Sequence, residues 1–220
     1  MKKITLLCVG LSLCFTSWGQ KIKVHESRES IGGGSNNALV VTIYGADEND
    51  VEKEWKSMMK DYGAKVSNQK GEMFANNAVI KDMGPKTMDI YTRFTEKKGE
   101  IEMVVGFDLG GAYMSSSMHA DKYKIAEKIL HDFAVKMTTE ALNDQIKTQQ
   151  KALSKLQDQE KDLEKDQKNQ NSDIADYQNR IKKAQDAIEK DKDAQGKKQT
   201  EISNQQQVVD DLTKKSKAVE

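Results

Sequence analysis

The chain is expected to be α+β: a two-layer sheet/helix domain followed by a long C-terminal α-helical coiled coil. Two features lead there. Between residues 38 and 140, apolar runs of strand type are mixed with amphipathic helical stretches, the composition of one small packed domain. From Ile146 onward an apolar heptad repeat keeps a single register to Val219. The expected organisation is therefore residues 1–19 as a signal peptide, 20–37 as a flexible linker, 38–140 as the α+β sheet domain with its packing helix, and 141–220 as a coiled-coil rod.

Residues 38–44 (Ala-Leu-Val-Val-Thr-Ile-Tyr) form an unbroken apolar, β-branched run, as in a strand covered on both faces. Gly45 ends it. Val51, Trp55, Met58, Met59 and Tyr62 then recur on one helical face, and Asp47, Glu48 and Asp50 suit the N-terminus of that helix. Gly63 stops it. Residues 64–69 and 72–81 read as weaker strands, the second broken near Asn76-Asn77. Met88, Ile90, Thr92 and Phe94 alternate with polar neighbours, and so do Ile101, Met103, Val105, Phe107 and Leu109. That period of two marks antiparallel strands with one buried face, joined across Glu96-Lys97-Lys98-Gly99. A helix is expected from His119, with Ile125, Ile129, Phe133 and Met137 turned towards the sheet.

Ahead of this domain, Gly32-Gly33-Gly34-Ser35-Asn36-Asn37 reads as a tether; no Lys-Ser/Thr follows, as a phosphate-binding loop would need. Lys2 and Lys3, an apolar stretch over residues 4–15 and the small residues Ser17 and Gly19 give the first 19 positions the form of a cleaved signal peptide. A spanning helix needs about 20 apolar residues, more than this stretch provides. A lipoprotein reading through Cys14 is disfavoured by Leu13, which occupies the position of a small residue. Cys8 and Cys14 are the chain's two cysteines, so the exported form is expected to have no disulfide, thiol nucleophile or thiolate metal site. The 35 basic and 35 acidic residues balance, without a basic block, which argues against a nucleic-acid partner.

In the heptad repeat, positions a include Ile146, Leu153, Ile174, Ile181, Ile188, Ile202 and Val209, and positions d include Leu156, Leu163, Tyr177, Ala184 and Leu212. Outside a and d the repeat is almost wholly polar. So narrow a stripe needs a second helix along it. The expected coiled-coil interface is Ile146, Leu153, Leu156, Leu163, Ile174, Tyr177, Ile181, Ile188, Ile202, Val209 and Leu212. β-Branched residues at a with leucine at d point to a parallel pair. Glu160, Gln167, Gln170, Asp191, Gln195 and Lys198 weaken the seam while fixing its register. The unbroken heptad phase favours one continuous helix over a fold-back at Asn169-Gln170-Asn171-Ser172, although Ser172 or Asp173 could cap a second helix. Gly196 is a second weak point.

Chemistry is hard to find. His25, His119 and His131 match no metal-ligand spacing, and His119 beside Asp121 is the one pair suited to acid–base work. Ser115-Ser116-Ser117 lacks the glycines of a nucleophile elbow. Asp108 before Leu109-Gly110-Gly111 reads as a turn residue at a strand end. Met58, Met59, Met83, Met88, Met103, Met114, Met118 and Met137 read as core filler rather than a copper site. No catalytic residue, metal ligand or cofactor is assigned.

Asn37-Ala38-Leu39-Val40-Val41, the helix around Val51 and Trp55, Phe107-Asp108-Leu109-Gly110-Gly111-Ala112 and the Lys/Glu/Gln-rich tail together are similar to uncharacterised exported proteins of Bacteroidota that join a small N-terminal sheet domain to a C-terminal coiled-coil tail. The resemblance covers most of the mature chain and implies location and architecture, with no activity to carry over. The expected function is that of a non-enzymatic exported protein, periplasmic or of the cell envelope, that self-associates or spaces its sheet domain through a coiled coil. Its partner would be a second copy or another helical protein, and the mature chain would carry no transmembrane span. The alternative is a periplasmic holdase-type chaperone with helical tentacles; an efflux adaptor would need further chain after the repeat.

Overall fold

The computed structural model describes residues 21–217, so the expected signal peptide at residues 1–19 and Val219 lie outside the described residues. Six strands form one antiparallel sheet: β1 His25–Ile31, β2 Gly34–Tyr44, β3 Lys65–Gln69, β4 Glu72–Ala78, β5 Met88–Lys97 and β6 Glu100–Asp108. Their spatial order is β1-β2-β6-β5-β4-β3, every neighbouring pair antiparallel. The helices are α1 Glu48–Asp61 and α2 Ala120–Lys217, and a 3-10 turn covers Lys81–Met83. The α+β class is as expected.

The expected flexible linker is corrected. Residues 25–31 pair with β2 from His25↔Val40 to Ile31↔Gly34. Gly32 (φ 61°) and Gly33 (φ 79°) form the two-residue turn between them. Two successive left-handed residues match the twist of a hairpin, and glycine adopts that backbone without a Cβ clash. Hydropathy gave no sign of β1 because it is an edge strand: His-Glu-Ser-Arg-Glu-Ser stays wet, and only Ile31 is buried. Arg93 fastens the edge, donating to the Ser30 carbonyl at 2.6 Å and to Glu29 at 3.1 Å.

β5 alternates as its sequence requires, whereas β6, expected to have one wet face, is buried on both from Met103 to Phe107 because Val104 joins the cluster on the opposite face. The two strands turn through Lys98 (φ 56°) and Gly99 (φ 79°). The expected break at Asn76-Asn77 is a bulge between Ala75 and Ala78. There Asn77 takes φ 58°, and its N–H donates to Asp89 Oδ1 at 2.9 Å. α1 is capped by Asp47, whose carboxylate accepts the Asn49 N–H at 2.9 Å. It buries Val51, Trp55 and Met59, one side of the helix at i, i+4 and i+8.

One sheet face carries the main core. Leu39, Val41 and Ile43 of β2 and Ile101, Met103, Val105 and Phe107 of β6 pack with the buried side of α1 and the first turns of α2. The buried stripe of α2 is Ala126, Leu130, Phe133, Ala134 and Met137, while Ile125 and Ile129 flank it half-buried. The stripe is thus rotated from the one expected, because two alanines allow close approach. Trp55 meets Phe133 edge to face at 4.9 Å, and its indole N–H donates to Thr92 Oγ1 at 2.8 Å. The opposite face holds a small cluster of Ile31, Ala38, Val40 and Val104 with Tyr91 against it.

The fold-back is excluded: α2 stays helical through residues 169–172 and through Gly196. Two compact units divide the described residues, the first ending at Gln149 and the second beginning at Gln150. Within the first unit, α2 touches the sheet domain as far as Gln145. The Tyr44 N–H donates to Thr138 Oγ1 at 3.2 Å, and Gln145 lies over Gly45, where a Cβ would stand 3.1 Å from its amide nitrogen. No described helix is long and apolar enough to cross a membrane.

Candidate functional site

All eleven residues expected to form the interface lie on α2. Local chemistry makes this stretch helical. Lysine, glutamate, glutamine and alanine favour the conformation. Pairs three or four residues apart add to it: Lys147 with Asp144 at 3.0 Å, Gln206 with Asp210 at 3.0 Å, and Lys198 with Glu201. Each such exposed pair contributes only a few tenths of a kcal/mol. The Thr200 and Thr213 hydroxyls donate back to the carbonyls of Gly196 and Val209. These interactions shape the helix and leave its apolar stripe uncovered.

That stripe is exposed along its whole length. Leu163 is 69 % exposed, Leu156 63 %, and even Val209, the most shielded of the eleven, is 46 %. Leucine and isoleucine side chains left this open form one regular apolar stripe along the helix. The polar members of the seam, such as Glu160 and Gln167, interrupt it with hydrogen-bonding groups.

The sheet's second face offers a different cluster, one that was not anticipated. Phe74 stacks on Tyr91 at 4.8 Å between ring centres, and Tyr91 lies 6.2 Å from Tyr113. Burial, assisted by Tyr91, Asp108, Glu72 and Asp89, pushes the Tyr113 hydroxyl up to about 12. It is therefore a proton donor at neutral pH, and it donates to the Gly32 carbonyl at 3.4 Å. Glu72 accepts the Gly32 N–H at 3.0 Å. These groups grip the β1–β2 turn and are consumed in doing so. The available signal was the pair of aromatics, Phe74 and Tyr91, opposite one another on adjacent strands.

The remaining candidates resolve into structural roles. His119 Nδ1 accepts the Ser115 N–H at 3.4 Å at the start of α2. His131 lies 3.3 Å from Asp132, whose carboxyl is held below its ordinary range by Lys128 first and His131 second. His25 begins the edge strand β1. Asp108 accepts the N–H groups of Gly110 and Gly111 at 2.9 and 3.4 Å, closing a turn. Ser115 Oγ accepts the Met118 N–H at 3.3 Å. Met59, Met83, Met88, Met103, Met114 and Met137 are core residues, whereas Met118 is exposed. Among the described residues, no group of three or more His, Cys, Asp or Glu side chains could hold a metal ion. Comparison with known protein families, with curated proteins and with solved structures finds no match to this chain.

Proposed function

We propose that this is a non-enzymatic exported protein of the periplasm or cell envelope, which self-associates through the apolar seam of α2 and uses that pairing to space its sheet domain. The observation that supports the reading is the seam itself, eleven large apolar side chains on one helix that remain 46–69 % exposed. Covering the exposed part of each is worth on the order of 1 kcal/mol. Over two helices this amounts to roughly 20 kcal/mol gross, against an association cost of about 4–15 kcal/mol before side-chain ordering. A pair forms on this account, with modest net affinity. The chaperone reading has less support, because the exposed apolar groups follow one narrow regular stripe rather than broad patches.

Analytical ultracentrifugation of the chain from Gln20 onward is the test. A dimer or larger species at micromolar concentration is the expected result. A monomer at every concentration reached would overturn the proposal.

A further inference from the structure

The seam of α2 has nearly the same pattern read from either end. An antiparallel pair of helices sets a positions of one against d positions of the other. With the two repeats fully overlapped, Leu153 meets Leu212, Leu156 meets Val209, Leu163 meets Ile202, Tyr177 meets Ile188, and Ile181 meets Ala184. The polar positions also find one another: Gln149 with Ser216, Glu160 with Gln205, Gln167 with Lys198, and Gln170 with Gln195. One kind of layer, Ile174 against Asp191, mixes the two classes.

Neighbouring registers lose this match. A slide of one heptad in one direction puts Leu153, Leu163, Ile188 and Val209 all opposite glutamines. A slide in the other direction puts Leu212 against Glu160, Ile174 against Lys198 and Ile181 against Asp191. The parallel arrangement favoured by residue type at a and d has its own defect. It stacks Glu160, Asp191 and Lys198 each against its own copy, three layers of like charge in the seam. In the antiparallel register the charges of Glu160 and Lys198 face glutamine amides, which can hydrogen-bond to either sign.

A sequence symmetric about Lys182-Lys183 would also match itself if one chain folded back there. α2 is uninterrupted through these residues and carries its seam exposed on both sides of them, so a single chain cannot make the match. We infer that α2 pairs antiparallel and in full overlap with α2 of a second copy of this chain, Glu160 lying opposite Gln205. The inference rests on the self-association proposed above and adds its direction and register.

Cysteine cross-linking in the full-length chain, with Cys8→Ser and Cys14→Ser, tests it. Glu160 and Gln205 are exposed and polar, so both tolerate replacement. Under mild oxidation, the double variant Glu160→Cys/Gln205→Cys is expected to give at least tenfold more covalent dimer than either single variant. Lys161→Cys, outside the seam, should give none. Cross-linking of each single variant to itself shows a parallel pair, and absence of a covalent dimer in a sample that sediments as a dimer shows another register. Either result overturns the inference while leaving self-association standing. A sample that sediments as a monomer overturns both.

Discussion

Thr92 shows how closely one side chain can decide the fit of the sheet domain's core. It is 1 % exposed, and its hydroxyl accepts the hydrogen bond of the equally buried Trp55 indole at 2.8 Å. Trp55 in turn sits edge-on to Phe133, so this one bond orients the ring that joins α1, β5 and α2. Thr92→Val keeps shape and β-branching but leaves the indole N–H without an acceptor, which costs about 1–3 kcal/mol. Thr92→Ser keeps the acceptor and loses only a methyl group, about 1 kcal/mol. Urea unfolding followed by tryptophan fluorescence should therefore rank them wild type, Ser, Val. Equal stability of the Val variant and wild type would show that the bond contributes nothing net. Sequence made Trp55 legible as a core residue through its helical spacing. The partnership with Thr92 was not legible, since it depends on two elements 37 positions apart meeting.

At the scale of elements, what the sequence revealed depended on whether an element buries a face. β5 alternates because it has one dry side. The apolar half of β2, residues 38–43, is a continuous run because Leu39, Val41 and Ile43 serve one core cluster while Ala38 and Val40 serve the other. β6 is likewise buried on both faces from Met103 to Phe107. β1 has almost no dry side, so its backbone pairing left no hydropathic trace, and the glycines that follow it looked like a tether. The α2 stripe was displaced because Ala126 and Ala134 contribute by being small, a property that hydropathy barely registers. The β1–β2 turn can be tested directly. Both Gly32 and Gly33 have positive φ, so alanine at either costs about 1–2 kcal/mol in backbone strain. A Cβ at Gly33 meets nothing within 4 Å, whereas one at Gly32 would lie 1.8 Å from the Tyr113 hydroxyl oxygen. Gly32→Ala should thus be the more destabilising in thermal or urea unfolding. Most of the excess should disappear in a Tyr113→Ala background, which leaves only the Tyr91 ring close, at 3.2 Å. Equal effects of the two alanines would show that Tyr113 yields freely.

For the whole molecule, the two units draw their stability from different sources. The sheet domain has its own core, with Trp55, Phe107 and Phe133 fully buried. Beyond Gln149 every described residue is exposed, so α2 there has only local pairs and helix propensity to hold it. Its asparagines, serines, aspartates and Gly196 lower that propensity. The heptad phase was legible in the sequence because apolar residues recur along α2 at fixed intervals, and the helix carries them on one exposed stripe. Dilution should separate the two units. As concentration falls through the dissociation constant of the pair, far-ultraviolet helical ellipticity should drop substantially, because residues 150–217, most of the 98 in α2, lie beyond the sheet-domain unit, against 14 in α1. Tryptophan fluorescence, reporting Trp55 in its buried site, should remain unchanged over the same range. Replacing Ile181 and Ile188 with lysine puts charge into the seam and should move the helical transition to at least tenfold higher concentration, again with constant fluorescence. Helicity independent of concentration in both proteins would mean that the distal helix persists alone, and the exposed stripe would then have no energetic claim on a partner.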